Sequence, residues 1–284
     1  MLADAVDGRR FAFGDGLSGY VAGHGPPLVL VHSVNAAASV AEVRPLFEHF
    51  KATRTVWALD LPGFGHSARR DIDYTPRLMT DALHALRREV GGTAAVDALA
   101  VSLGCEFLAR AAGEQPAAWG RLALVSPTGM NGTTPRRGAP GSTRQVPGML
   151  PLLSLPLWSG ALFNGLTKPG VVRFFLEKTF GSKAIDERLW ADAVATAREP
   201  GARFAPLAFL SAKLFSADVT SIYEALTQPV WASHGTVGDF TDYRGKVLFE
   251  QRPNWRFSVY EGCGALPYFQ QPARFNAELA AFLG

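Results

Sequence analysis

Short apolar runs, each closed by Gly or Pro and followed by a segment of helical spacing, recur along most of this chain. Pro27–His32, Thr55–Leu61, Val96–Val101 and Leu122–Ser126 are apolar at nearly every position, the pattern of strands buried on both faces. Val230–Ser233 and Phe257–Tyr260 add two more. Between them, helical periodicity marks Val40–Lys51, Thr75–Val90, Cys105–Gly113 and Ala273–Phe282. Strands alternating with helices imply an α/β fold: a mostly parallel central sheet with helices on both faces. The opening segment Phe11–Ala22 reads instead as an antiparallel hairpin that turns at Gly14, Asp15 and Gly16.

The alternation lapses once, after Ser126 and Pro127, and resumes at Pro229 and Val230. Thr128–Thr143 has the composition of a loop, whereas Met149–Leu166, Val171–Phe180, Ala184–Arg198 and Pro206–Leu226 carry helical spacings. The expected division is therefore a core of residues 1–127 and 228–284, with 128–227 as a helical cap inserted after the sixth strand. Open α/β sheets bind ligands at the carboxyl ends of their strands, so this insertion is placed to cover a site. Its first part is rich in large apolar residues, among them Leu150, Leu152, Leu153, Leu155, Leu157, Trp158, Leu162 and Phe163. Packing onto the core is the leading reading of these, with an apolar substrate pocket or a membrane-surface contact as alternatives.

Composition narrows the function classes. The 284 residues are 48% apolar and 19% charged, enough to bury a large core or a core with a subdomain. A net charge of +3 with scattered basic residues gives no reason to expect a nucleic-acid partner. The local cluster Arg136, Arg137 and Arg144 reads as a solvated loop. Met1–Phe13 lacks the apolar run of a signal peptide, and no stretch of membrane-spanning length escapes a charge, Gly or Pro, so a cytoplasmic protein is expected. Cys105 and Cys263 are expected to be free thiols. No metal is expected, because the histidines lack ligand spacing, and no organic cofactor, because no G-x-G-x-x-G follows a strand. A homodimer stays open.

Three motifs carry the chemistry. In Leu99–Cys105 a buried strand ends, Ser102 follows, and Gly104 lets the next helix approach closely. After the strand Leu28–Val31 comes His32-Ser33-Val34-Asn35. Asp60–Ser67 (DLPGFGHS) follows a further inner strand. Their order resembles the α/β-hydrolase superfamily over nearly the whole chain. The first motif is similar to the family's nucleophile elbow, with Ala100 in place of the first glycine. By that resemblance Ser102 is the nucleophile. The backbone N–H groups of Val34 and Leu103 would face the oxyanion, with Ser33 and Asn35 beside them. His32 reads as structural.

The resemblance breaks at the acid and the histidine of the triad. After Val230–Ser233 comes His234, and the usual spacing puts the acid at Gly238; Asp239 follows one residue late, with Asp242 a weaker alternative. After Phe257–Tyr260, relatives read Gly-His where this chain has Gly264-Ala265-Leu266-Pro267. A serine hydroxyl needs a base to act as a nucleophile near neutral pH. If Ala265 is a replacement made in a working triad, the enzyme is disabled. If it is the natural residue, His234 is the best placed substitute base, or the proton moves through water, Tyr268 or the substrate. The leading expectation is a hydrolase of an ester or other activated carbonyl on an apolar small molecule. The alternatives are a non-covalent C–C hydrolase, lyase or cyclase using the same oxyanion hole, and a binding protein without turnover.

Overall fold

The computed structural model describes residues 2–284. Eight strands form one sheet: β1 (Arg9–Phe13), β2 (Leu17–Ala22), β3 (Pro27–Val31), β4 (Thr55–Asp60), β5 (Val96–Val101), β6 (Trp119–Val125), β7 (Val230–Gly235) and β8 (Trp255–Tyr260). Their spatial order is β1-β2-β4-β3-β5-β6-β7-β8. The expected hairpin is β1 with β2, and β2 also runs antiparallel to β4; every other pairing is parallel.

Side chains alternate across a strand, so a strand apolar throughout must be covered twice. Val29, Val31, Ala98, Ala100, Leu122 and Leu124 face one core with Leu83 and Leu86 of α2 (Pro76–Val90) and Phe107 of α3 (Gly104–Glu114). Leu28, Leu30, Leu99, Val101, Ala123 and Val125 face the other. There they meet Leu46 and Phe47 of α1 (Arg44–Phe50) and Phe275 and Leu279 of the C-terminal helix Pro272–Leu283. The helix expected over Val40–Lys51 is a 3₁₀ turn (Val40–Val43) leading into α1.

Between β6 and β7 lie six helices: α4 (Met149–Leu153), α5 (Ser159–Leu166), α6 (Pro169–Phe180), α7 (Glu187–Thr196), α8 (Phe204–Leu210) and α9 (Val219–Glu224). Met149–Leu166 is two helices rather than one because Pro156 drives Leu155 away from helical backbone. Pro206–Leu226 is likewise split, with Ala212 in the left-handed region at φ 60°. Polar anchors tie these helices to α1 and to the loop after β4. Arg44 reaches Asp186 and Asp192, and Arg69 donates to the carbonyl and hydroxyl of Thr196 at 2.6 and 2.7 Å. Phe163, Ala197 and Ala202 pack on Ala36 and Ala37, beside the loop that follows β3. The short α10 (Pro267–Gln270) and α11 (Pro272–Leu283) complete the chain.

Candidate functional site

At the end of β5 the chain turns through Ser102 in the left-handed conformation, φ 51°, before entering α3. A non-glycine residue there costs roughly 1–2 kcal/mol, so surrounding contacts must hold it. They do: the Ser102 N–H donates to Val125 O at 2.8 Å, and its carbonyl accepts from Cys105 N–H at 3.1 Å. Ser102 is partly exposed and its neighbours Val101 and Leu103 are buried. Gly104 is required by close approach, since a Cβ there would stand 2.5 Å from the His32 carbonyl oxygen. This contact presses the elbow against the loop after β3.

That loop is braced from beneath by a carboxylate that sequence reading passed over. Buried Glu42 accepts from Ser33 N–H at 2.9 Å and from Asn35 Nδ2 at 2.6 Å, while Asn35 Oδ1 accepts from Ala37 N–H. Asn35 also donates to the Ser33 hydroxyl at 3.2 Å. His32 is engaged at both ring nitrogens: Nε2 accepts from Leu61 N–H and Nδ1 bonds to Ser33 O. Among the described residues, neither the Val34 nor the Leu103 N–H has a protein acceptor, although both residues are buried. Buried backbone donors are nearly always paired, so two open ones, on the elbow and on the loop that Gly104 lets it approach, are unusual.

The next two strand ends carry the rest. Val101 pairs with Val125 and Val125 with Ser233, so one step further along Ser102, Ser126 and His234 stand in a row across β5, β6 and β7. Ser126 is a second serine in the left-handed region, φ 49°. Its hydroxyl donates to Ala265 O at 2.8 Å. His234 is buried and stacked on Tyr243, with ring centroids 4.2 Å apart. Its Nδ1 bonds to Gly235 O at 2.9 Å and its Nε2 has no partner. Burial lowers the imidazole below its ordinary range, with Lys246 adding to the shift. The carbonyl at Nδ1 fixes the proton there and leaves Nε2 as the open acceptor.

Asp239 and His234 are not brought together. Asp239 lies exposed, 3.4 Å from Lys178, and Asp242 is engaged by Arg244, which holds its carboxyl well below the usual range. Ala265 is 6% exposed and clamped on both sides, its N–H on Thr179 O at 2.8 Å and its carbonyl on Ser126. Leu266 beside it is buried at the start of α10. The Tyr268 hydroxyl donates to Glu42 O at 3.0 Å, which fixes it as a brace of the loop. Among the described residues no side chain hydrogen-bonds Ser102 Oγ, and none form a cluster of three or more metal-ligating groups. Two open depressions, of about 550 and 340 Å3, lie at the opposite, amino-terminal ends of β5–β8, away from Ser102.

A family-wide sequence profile described as "Alpha/beta hydrolase family" matches residues 28–278. This chain belongs to that family. Solved structures agree on the fold of the α/β-hydrolase chain. A His-tagged serine hydrolase involved in carbazole degradation is 16% identical, with TM-score 0.76, covering 98% of this chain and 99% of its own. The 2-hydroxy-6-oxo-6-phenylhexa-2,4-dienoate hydrolase of Rhodococcus sp. strain RHA1 is 18% identical, TM-score 0.75, covering 98% of each chain. A meta-cleavage product hydrolase from Pseudomonas fluorescens IP01, a serine-to-alanine mutant complexed with acetates, is 16% identical, TM-score 0.72, covering 97% of each. No curated protein sequence matches.

Sequence reading missed Glu42, Ser126 and Tyr243. Ser126 had a signal: like Ser102, it ends a buried strand. Glu42 stood out only as a lone acid among Val40, Ala41 and Val43. Nothing in the sequence pairs Tyr243 with His234.

Proposed function

We propose that this α/β-hydrolase acts on an ester or similarly activated carbonyl carried by an apolar small molecule, with Ser102 as nucleophile. In this reading Ser102 Oγ attacks the carbonyl carbon, and the oxygen that gains charge settles between the Val34 and Leu103 N–H groups. The leaving alcohol departs, and water then hydrolyses the acyl-serine. Adjacent strands are about 4.8 Å apart, so Ser102 and His234 are separated by two strand spacings. The His234 ring also lies flat on Tyr243. A relay of bound waters is the route by which the serine proton reaches Nε2, the lone pair left open when Nδ1 bonds to Gly235 O. Residues 128–227 serve as a lid over a core of 1–127 and 228–284, excluding bulk water from the reaction.

The observation that carries this reading is the left-handed Ser102 on an elbow held close to the loop after β3, with the N–H groups of buried Leu103 and Val34 left without an acceptor among the described residues. Preorganised donors of this kind are worth about 10²–10³ in rate each. The test is hydrolysis of p-nitrophenyl esters of increasing acyl length. Ser102→Ala is expected to lower kcat/KM by about 10³-fold or more, and His234→Ala by about 10²-fold. Ester turnover that survives Ser102→Ala would rule out acyl-serine chemistry.

The bare Ser102 Oγ favours a second reading, in which the same two amides stabilise an enolate and no acyl-serine forms. Meta-cleavage product hydrolases are among the structural neighbours. A vinylogous diketone substrate would then turn over in Ser102→Ala but not after Val34→Pro, which removes one donor.

A further inference from the structure

The first part of the insertion faces outward. Leu150 and Phe163 pack inward as expected, but Leu152, Leu155, Leu157 and Trp158 do not, and Leu157 is 87% exposed. They form one surface: Trp158 Nε1 donates to Leu152 O at 3.0 Å, and the backbone links Leu155 to both Leu152 and Trp158. Phe174 and Phe175, each 52% exposed, extend the apolar surface of the insertion on α6, which packs against α5. Monomeric proteins seldom expose so many large apolar side chains on one segment without a partner.

Charge identifies that partner. No Asp or Glu occurs from Gln115 through Leu176, whereas beyond Arg121 of β6 the same stretch carries Arg136, Arg137, Arg144, Lys168 and Arg173. Arg137 and Arg173 are paired with Glu224 and Glu187, but Arg136, Arg144 and Lys168 form no ion pair among the described residues. Arg144 stands two residues before exposed Val146, Lys168 separates α5 from α6, and Lys178, paired with Asp239, holds its Nζ 5.7 Å from the Phe174 ring. Large aliphatic and aromatic groups fringed by cations, on a stretch that carries no acid from Gln115 through Leu176, fit an anionic lipid interface: the side chains enter the acyl boundary while the cations meet headgroup phosphates. No helix here is long and apolar enough to cross a membrane among the described residues, so the contact is peripheral. We propose that the face built from Leu152, Leu155, Leu157, Trp158 and the α6 phenylalanines docks on anionic membrane surfaces.

The test is co-sedimentation of the whole chain with vesicles of phosphatidylcholine alone or with about 30% phosphatidylglycerol. Each cation near an anionic surface strengthens binding about fivefold, so the mixed vesicles should bind at least about tenfold tighter, and salt should weaken this. The double variant Leu155→Asp/Leu157→Asp changes only exposed positions; it should keep the wild-type Tm and lose binding to both vesicles. Arg144→Glu/Lys168→Glu should abolish the preference for phosphatidylglycerol. Binding to neither vesicle, equal binding to both, or variants that bind like wild type would overturn the proposal. A dimer in light scattering that Leu155→Asp/Leu157→Asp dissociates would overturn it too, by showing a second copy on this face.

Discussion

Replacing Gly104 by Ala tests the contact that brings the two oxyanion donors together. The added Cβ would lie 2.5 Å from His32 O, where ordinary contact begins near 3.4 Å, a deficit of about 0.9 Å. His32 cannot yield easily, because both its ring nitrogens are bonded and β3, the strand it follows, is packed between β4 and β5. The elbow must therefore move away. Leu103 N–H is one residue before Gly104 and Val34 N–H two residues after His32, so the donors separate by a similar distance. Overpacking of this kind costs about 1–3 kcal/mol. A misplacement near 1 Å lowers kcat/KM by about 10²-fold. The assay is p-nitrophenyl butyrate hydrolysis alongside urea unfolding. Gly113→Ala, on the same helix, is the control: its Cβ would meet only Ala225 Cβ at 3.9 Å, and helix propensity should add up to about 1 kcal/mol with activity unchanged. A folded Gly104→Ala enzyme with wild-type kcat/KM would refute the packing of elbow on loop.

With His234 as base, kcat/KM should stay level down to a pH below 6.5, because burial lowers its pKa and the neutral ring persists; only below that value should it fall. An inflection above pH 7 that His234→Ala removes would contradict this. Glu106 is buried, accepting from the Thr128 hydroxyl at 2.6 Å and Ser216 N–H at 2.8 Å, and burial raises its carboxyl above the ordinary 4.5. The native state then holds this proton more tightly than the unfolded chain does, so the fold loses stability as pH rises from 4.5 to the raised value. Urea unfolding from pH 7 to 5 should show wild type gaining stability relative to Glu106→Gln. Arg44→Met removes the buried cation joining α1 to Asp186 and Asp192; a loss of about 1–3 kcal/mol in chemical unfolding is expected, partly restored by Asp192→Asn.

Apolar periodicity was enough to place the sheet, because strands such as Leu28–Val31 and Val96–Val101 are buried on both faces and no other arrangement hides them. The elbow was legible for a local reason: a serine between a buried strand and a glycine-opened helix needs no distant information. Helix breaks in the insertion were less so. Pro156 announces one, but nothing local forces Ala212 into left-handed backbone. Long-range brackets stayed out of reach. Glu42 meets Ser33 and Asn35 across a turn, and Tyr243 meets His234 only because the chain after β7 folds back over it. The displaced Asp239 was visible in the spacing, while its distance from His234 was not.

Reaction of the wild-type chain with a fluorophosphonate, followed by peptide mass spectrometry, tests the nucleophile directly. A single adduct on Ser102, forming faster as pH rises through the lowered His234 value and absent in Ser102→Ala, is the predicted result. An intact chain after prolonged exposure, or an adduct on a different residue, would contradict it.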